Sequence, residues 1–213
     1  MANANHRAYN NGLPSVTTIL GVLHKIGLEN WFKFNTLAFI NKESEEGKTI
    51  GTQIHDAIQQ NIEEKEVKIE TVYTEQVTNA LKGFMQFKKD HPEIKLKKAE
   101  MMLTSEKYGF NGTMDAYGKI GDDIVVFDWK TSKCKAKEKP DIYDEYRFQV
   151  SAYVKAFNET QEAQASRAFI LSLAKDKVAY NFEEIPMTDI DQMFERVFLP
   201  ALSIWNYQNK KEK

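Results

Sequence analysis

Asp128 and Lys130 stand two residues apart at the end of an apolar run, in the stretch IVVFDWKTS over residues 124–132. Burying either charge in a protein interior is expensive, so their placement calls for a chemical reason. In a strand, side chains alternate between faces: Asp128 and Lys130 share one with Ile124 and Val126, while Val125, Phe127 and Trp129 take the other. A second acid, Asp115, lies in the preceding run NGTMDAYG, and a hairpin through GDD at 121–123 brings it beside the Asp128 end of its neighbour. Two carboxylates held together repel unless a divalent cation lies between them. Oxygen ligands few in number suit magnesium or manganese. A cation so held polarises a phosphoryl oxygen, and an adjacent lysine steadies a nucleophile or developing negative charge. Taken alone, an Asp-x-Lys triplet also reads as an ordinary ion pair at a strand end.

Other candidates are scattered along the chain. His55, in GTQIHDAI, follows Ile54 of an apolar helical stripe and so sits at that stripe's edge; a lone histidine there is also a common packing or surface residue. Glu100 precedes Asp115 by 15 positions. Gln149 and Tyr153 are spaced to share one helix face, with a solvated amide and a packing ring as the plain alternative. Two lysine clusters stand out: Lys82, Lys88, Lys89, Lys95, Lys97 and Lys98, then Lys130, Lys133, Lys135, Lys137 and Lys139. They suit a nucleic-acid backbone or simply solvate loops. Trp31, Phe32 and Phe34 suit core packing or stacking on bases.

The elements that must position these residues follow from periodicity. Pro14 and Ser15 open a short helix. A second is predicted across ENWFKFNTLAFINK, a third across KTIGTQIHDAIQQNIEE with Ile50, Ile54, Ile58 and Ile62 on one face, and a fourth over residues 72–90. Three strands follow, in LKKAEMML, FNGTMDAYGKI and DIVVFDWK. After the lysine-rich loop come a helix in YDEYRFQVSAYVKAFNE, two strands in SRAFILSLA and KVAYNFEEI joined at Lys175 and Asp176, and a final helix bent at Pro200. This order predicts an α/β class, an α/β/α sandwich around one central sheet.

With 42% hydrophobic and 28% charged residues the chain reads as an ordinary globular protein. It has no apolar run of bilayer-spanning length and no leader-like segment in MANANHRAYNNG, so a cytoplasmic location is expected. One cysteine, Cys134, excludes a disulfide framework and any cluster held by several thiolates. A net charge of −2 excludes a globally basic nucleic-acid coat.

Taken in order, G-x-x-x-H from Gly51 to His55, Glu100, G-T-x-D from Gly112 to Asp115, D-x-K-T from Asp128 to Thr131 and Q-x-x-x-Y from Gln149 to Tyr153 resemble the RecB-type branch of the PD-(D/E)XK nucleases. Within it the chain is similar to the mitochondrial genome maintenance exonuclease group with its bacterial and phage relatives, which also carry an early segment like PSVT at 14–17. The resemblance implies a restriction-endonuclease-like fold: a mixed five-stranded sheet with a helical N-terminal elaboration, as a single nuclease domain over 1–213, residues 1–92 mainly helical and 93–213 the core. It implies Mg2+ or Mn2+ held by His55, Asp115, Asp128 and the Trp129 backbone carbonyl, with Glu100 at the edge and Lys130 as the catalytic lysine. Gln149 and Tyr153 would line the cleft. Ser15 and Thr17 would contact a DNA phosphate, although helix capping explains them as well. Lys133 and Lys135 would bind the strand. Cas4-like and AddB-like relatives carry four cysteines, so no iron–sulfur cluster is expected with one. There is no P-loop: EGKT at 46–49 imitates its end, but position 42 is Lys42, so unwinding would need a helicase or recombination partner. The implied activity is a metal-dependent DNA exonuclease on single-stranded ends or flaps in replication, recombination or repair, from a bacterium or phage. The rival is a catalytically silent nucleic-acid-binding adaptor with the same fold.

Overall fold

The structure, a computed structural model, describes residues 11–64, 73–134 and 137–209. Lys135, a member of the second lysine cluster, lies outside them. The elements run α1 (Val16–Leu20), α2 (Ile26–Phe34), α3 (Leu37–Glu64), α4 (Glu75–Asp90), β1 (Ile94–Ser105), β2 (Phe110–Ile120), β3 (Asp123–Ser132), α5 (Asp144–Thr160), β4 (Ala165–Ala174), β5 (Tyr180–Ile185), α6 (Met187–Met193), a π-helical turn (Phe194–Phe198) and α7 (Leu199–Gln208).

The strands form one sheet in the order β1-β2-β3-β4-β5. β1, β2 and β3 are antiparallel neighbours, β3 and β4 are parallel, and β5 returns antiparallel to β4. The parallel pair requires a crossover, which α5 supplies. The β2–β3 hairpin closes through Gly121 at φ +60, a backbone shape that favours glycine, with Ile120 opposite Asp123. This is the mixed five-stranded α/β/α sandwich of the restriction-endonuclease-like class. The β4–β5 connection runs from Lys175 to Ala179, longer than expected, and is closed by Ala174 N–H donating to Ala179 C=O.

Strand alternation divides the core in two. Val126, Leu103, Phe110 and Met114 pack against Val16, Val150, Val154, Phe157 and Phe198 on one face. Val125, Phe127, Trp129, Phe169 and Leu171 pack against Ile50, Ile54, Ile58, Phe84 and Phe87 of α3 and α4 on the other. Opposite faces for neighbouring residues of β3 put Trp129 at the foot of α3 and leave Asp128 on the α5 side.

Two helix expectations change. The helix predicted across ENWFKFNTLAFINK divides at Asn35, whose extended backbone ends α2 while its side-chain amide donates to Trp31 C=O. Thr36 then caps the next helix by accepting from Phe39 N–H, and the remainder fuses with the third predicted helix into the 28 residues of α3. At the C-terminus the irregularity precedes Pro200: Leu199 N–H bonds to Phe194 C=O, five residues back. Proline at 200 has no N–H for the ordinary bond, and the wider turn takes up the conflict. The core-packing reading of the α2 aromatics also fails, since α2 buries none of its residues. Among the described residues no helix is long and apolar enough to cross a membrane.

Candidate active site

His55 comes from the middle of α3, Glu100 from β1, Asp115 from β2, and Asp128 and Lys130 from β3. His55 Nδ1 lies 3.3 Å from Asp115 Oδ1 and 3.5 Å from Glu100 Oε1. One donor atom from each of these three lies within 4.8 Å of the others, close enough for all to reach one cation. Asp115 also accepts from Trp129 N–H at 2.8 Å through Oδ2, which ties its strand to β3 at the site. Asp128 stands outside the trio, with Oδ2 2.6 Å from Lys130 Nζ.

Burial sets the electrostatics. The imidazole of His55 is disfavoured as a cation by desolvation, but the charge of Asp115 and hydrogen bonds with Asp115 and Glu100 outweigh that and push it up to about 10. Desolvation also presses Asp115 toward its neutral form, and there His55, Lys130 and the Trp129 amide win, holding it below the ordinary carboxylate value. At Asp128 desolvation, opposed by Lys130 and reinforced by Asp115, pushes the carboxyl up to about 7. Lys130 is held above its usual value: burial opposes its charge, and Asp128 followed by Asp115 overcomes it.

Two features set the site apart from its surroundings. Asp128 is 1% exposed; its Oδ2 faces the Lys130 ammonium, while Oδ1 has no hydrogen-bond partner among the described residues. Buried polar atoms are seldom left so. Glu100 has φ +54 within a strand, the left-handed region that costs a side-chain-bearing residue about 1–2 kcal/mol. Strain of this kind gathers at functional sites. A divalent cation fits this set of an imidazole and three carboxylates.

The other expected residues divide. Gln149 Nε2 donates to Tyr153 Oη at 2.7 Å, so the pair is bonded to each other. The Tyr153 ring lies against β2 at Gly112, where any Cβ would come within 2.7 Å of it. Ser15 caps α1, its hydroxyl accepting from Thr18 N–H and lying 3.1 Å from the Thr17 hydroxyl. The segment is pinned beside the site strand by Asn111 N–H donating to Pro14 C=O. Lys133 is paired with Glu43 of α3 at 3.1 Å, and Lys137 with Asp141 at 2.6 Å. Lys88, Lys95 and Lys97 of the first cluster line one cavity of about 430 Å3 with His91 and Asn61.

Tyr146 escaped the sequence reading. Lys130 Nζ lies 5.5 Å from the centre of its ring, so the aromatic face flanks the lysine. Its position one turn before Gln149 on the α5 face was the available signal. Trp129 was expected only for its carbonyl. Its buried ring also bridges the site to the core, edge-on to His55 at 6.0 Å and to Phe84 at 6.3 Å.

The model of the PD-(D/E)XK nuclease superfamily matches residues 30–203, most of the chain and all of this constellation. The chain belongs to that superfamily. Two solved structures show distant likeness. The alkaline exonuclease LHK-Exo from Laribacter hongkongensis is similar over 93% of this chain and 92% of its own, at 13% identity and a TM-score of 0.43. SSO0001 is similar over 72% of this chain and 74% of its own, at 15% identity and a TM-score of 0.33. No curated protein sequence matches. Membership makes the chain a nuclease by family, of a kind that uses divalent metals and acts on DNA.

Proposed function

We propose that this nuclease is a metal-dependent exodeoxyribonuclease acting on single-stranded ends or flaps in replication, recombination or repair, and that the whole chain works as one domain. The observation that carries the reading is the meeting of His55, Glu100, Asp115, Asp128 and Lys130, drawn from four elements, in a partly open site. Mg2+ or Mn2+ would be held by His55, Asp115, Asp128 and the Trp129 carbonyl, with Glu100 beside them. When bound, such a cation supplies Lewis acidity and lowers the pKa of water.

The chain's own residues do the rest. Lys130, flanked by Tyr146, steadies the attacking oxygen and the charge gathering on the phosphate. Gln149 and Tyr153 orient Lys130 or the scissile phosphate as a bonded pair. Ser15, Thr17, Lys133 and Lys135 are proposed phosphate contacts; Lys133 would exchange its Glu43 partner for the strand. The basic cavity at Lys88, Lys95 and Lys97 adds salt-sensitive affinity with little base readout. Cytoplasmic location, bacterial or phage origin and a helicase or recombination partner belong to the same proposal.

The test is incubation of 5′-labelled, 3′-labelled and circular single-stranded DNA with Mg2+ or Mn2+, with and without chelator, beside Asp128→Asn. Shortening of linear but not circular strands, abolished by chelator and by the substitution, is expected. Binding without any product in either metal would leave the silent adaptor in its place.

A further inference from the structure

Helix α2 is built unlike the rest of the molecule. Of its nine residues, five are large and apolar, Ile26, Leu28, Trp31, Phe32 and Phe34, and none is buried. Phe34 is 84% exposed, Ile26 67% and Phe32 49%, and Leu37 and Phe39 extend the patch onto the start of α3. A helix this short is marginal in water on its own propensity. It is held instead by polar ties: Lys25 pairs with Glu145 of α5, Glu29 takes His24 at 2.7 Å, and Asn35 closes the last turn through Trp31 C=O. The ties hold the helix in place and leave Ile26, Leu28, Phe32 and Phe34 to solvent, with Trp31 half-buried. An exposed, pre-ordered aromatic surface of this kind marks a place where something docks.

Its position says what. The Lys25–Glu145 pair joins the start of α2 to the residue preceding Tyr146, whose ring flanks Lys130. The far end of α2 runs into α3, which reaches the site through Glu43 on Lys133 and, further along, His55. The start of α2 is thus tied to the rim of the nuclease site. Phe39 stands 16 residues before His55, about 24 Å along the helix, a few nucleotides from the chemistry. Flat rings presented beside a nuclease site suit a few unpaired bases, whose faces are available only in a single strand.

We infer that α2 and the start of α3, through Trp31, Phe32, Phe34 and Phe39, form a base-stacking platform that receives unpaired nucleotides next to the nuclease site and gives the enzyme its preference for single strands. The inference rests on the nuclease reading for its substrate and is separable from it in test. Trp31, beside Phe32 at 5.4 Å, reports occupancy once Trp205 of α7 is replaced by phenylalanine, because Trp129 is wholly buried.

Affinity is measured by fluorescence anisotropy in chelator, where no metal supports cleavage, for a 20-nucleotide oligothymidylate and an abasic strand of equal length. Stacking contributes about 1–3 kcal/mol per base, so the wild type should bind the oligothymidylate at least about tenfold more tightly than the abasic strand. Oligothymidylate alone should quench tryptophan emission. Phe32→Ala with Phe34→Ala, at exposed positions where folding is not at stake, should bring the two affinities within about twofold while leaving the abasic one unchanged. Equal binding of both strands by the wild type, or a double variant that keeps the whole difference, overturns the platform. So does a wild-type dimer that the double variant breaks. Manganese-dependent hydrolysis of a small phosphodiester should survive in the double variant and vanish in Asp128→Asn. If the wild type lacks that hydrolysis, the nuclease reading falls while the stacking result stands by itself.

Discussion

Glu100 has a left-handed backbone in the middle of β1, with Ala99 and Met101 on either side in regular register with β2. That strain makes the two ways of removing the side chain unequal in stability. Alanine at 100 deletes the carboxylate but keeps a Cβ in the strained region; glycine deletes both. The left-handed penalty of about 1–2 kcal/mol is relieved only by glycine. Against it stands the greater chain entropy of glycine, about 0.5–1 kcal/mol relative to alanine in a strand. The balance makes Glu100→Gly more stable than Glu100→Ala by about 0.5–1 kcal/mol. Loss of the contact with His55 is common to both and cancels. Met102, half exposed two residues along the same strand and paired with Thr113, supplies the control. There glycine should be less stable than alanine by about 0.5–1 kcal/mol. Urea unfolding of the metal-free protein, followed by circular dichroism, reads all four variants. With a slope of about 2–3 kcal/mol per molar urea, the glycine and alanine midpoints separate by about 0.2–0.5 M in opposite senses at the two positions. An alanine variant at 100 as stable as the glycine variant would show that no backbone strain is stored there, and the account of how Glu100 reaches the site would be wrong.

The proton on His55 occupies the place of a cation, so binding of Mn2+ at pH 8 should release about one proton per ion, read by calorimetry in buffers of different ionisation enthalpy; affinity should rise with pH toward about 10. No release would mean that the imidazole is not a ligand. In the metal-free protein both raised groups carry the same sign: stability from His55 is complete below its unfolded value near 6.5 and lost as pH rises through about 10, and that from Asp128 is lost between about 3.8 and 7. Thermal melts in chelator should therefore fall from pH 6 to pH 10, and Mn2+ should reduce the fall; melts that rise over that range refute the assignment. The two motif glycines should respond oppositely. Gly112→Ala meets the Tyr153 ring at 2.7 Å and should lose about 1–3 kcal/mol by overpacking. Gly51→Ala, with no atom nearer than Thr131 Oγ1 at 3.9 Å, should gain up to about 1 kcal/mol of helix propensity, both read by chemical denaturation.

Local chemistry was legible along the chain wherever one rule acted alone. Alternation in residues 124–130 assigned Trp129 to one core and Asp128 to the other face, and the GDD turn set the register that brings Asp115 to β3. The four-residue isoleucine spacing placed α3 against the sheet and so carried His55 to the acids. Element order carried the sandwich. What the sequence left open depended on competition between rules or on distance along the chain. Asn35 and Thr36 split one periodic run because their side-chain hydrogen bonds outcompete helix continuation, while Gly47 and Gly51 failed to interrupt α3. The left-handed turn at Glu100 has no composition signal, since the residue is forced there by ties on both neighbours. Exposure of the α2 aromatics was equally hidden: a ring has the same apolar character whether it meets a core or solvent, and only the arrangement of α3, α5 and the sheet left no surface for α2 to cover. Residue types determined which groups could hold a cation. Their pKa values and the unpartnered Oδ1 of Asp128 came from burial, a property of the packed chain and of no segment within it.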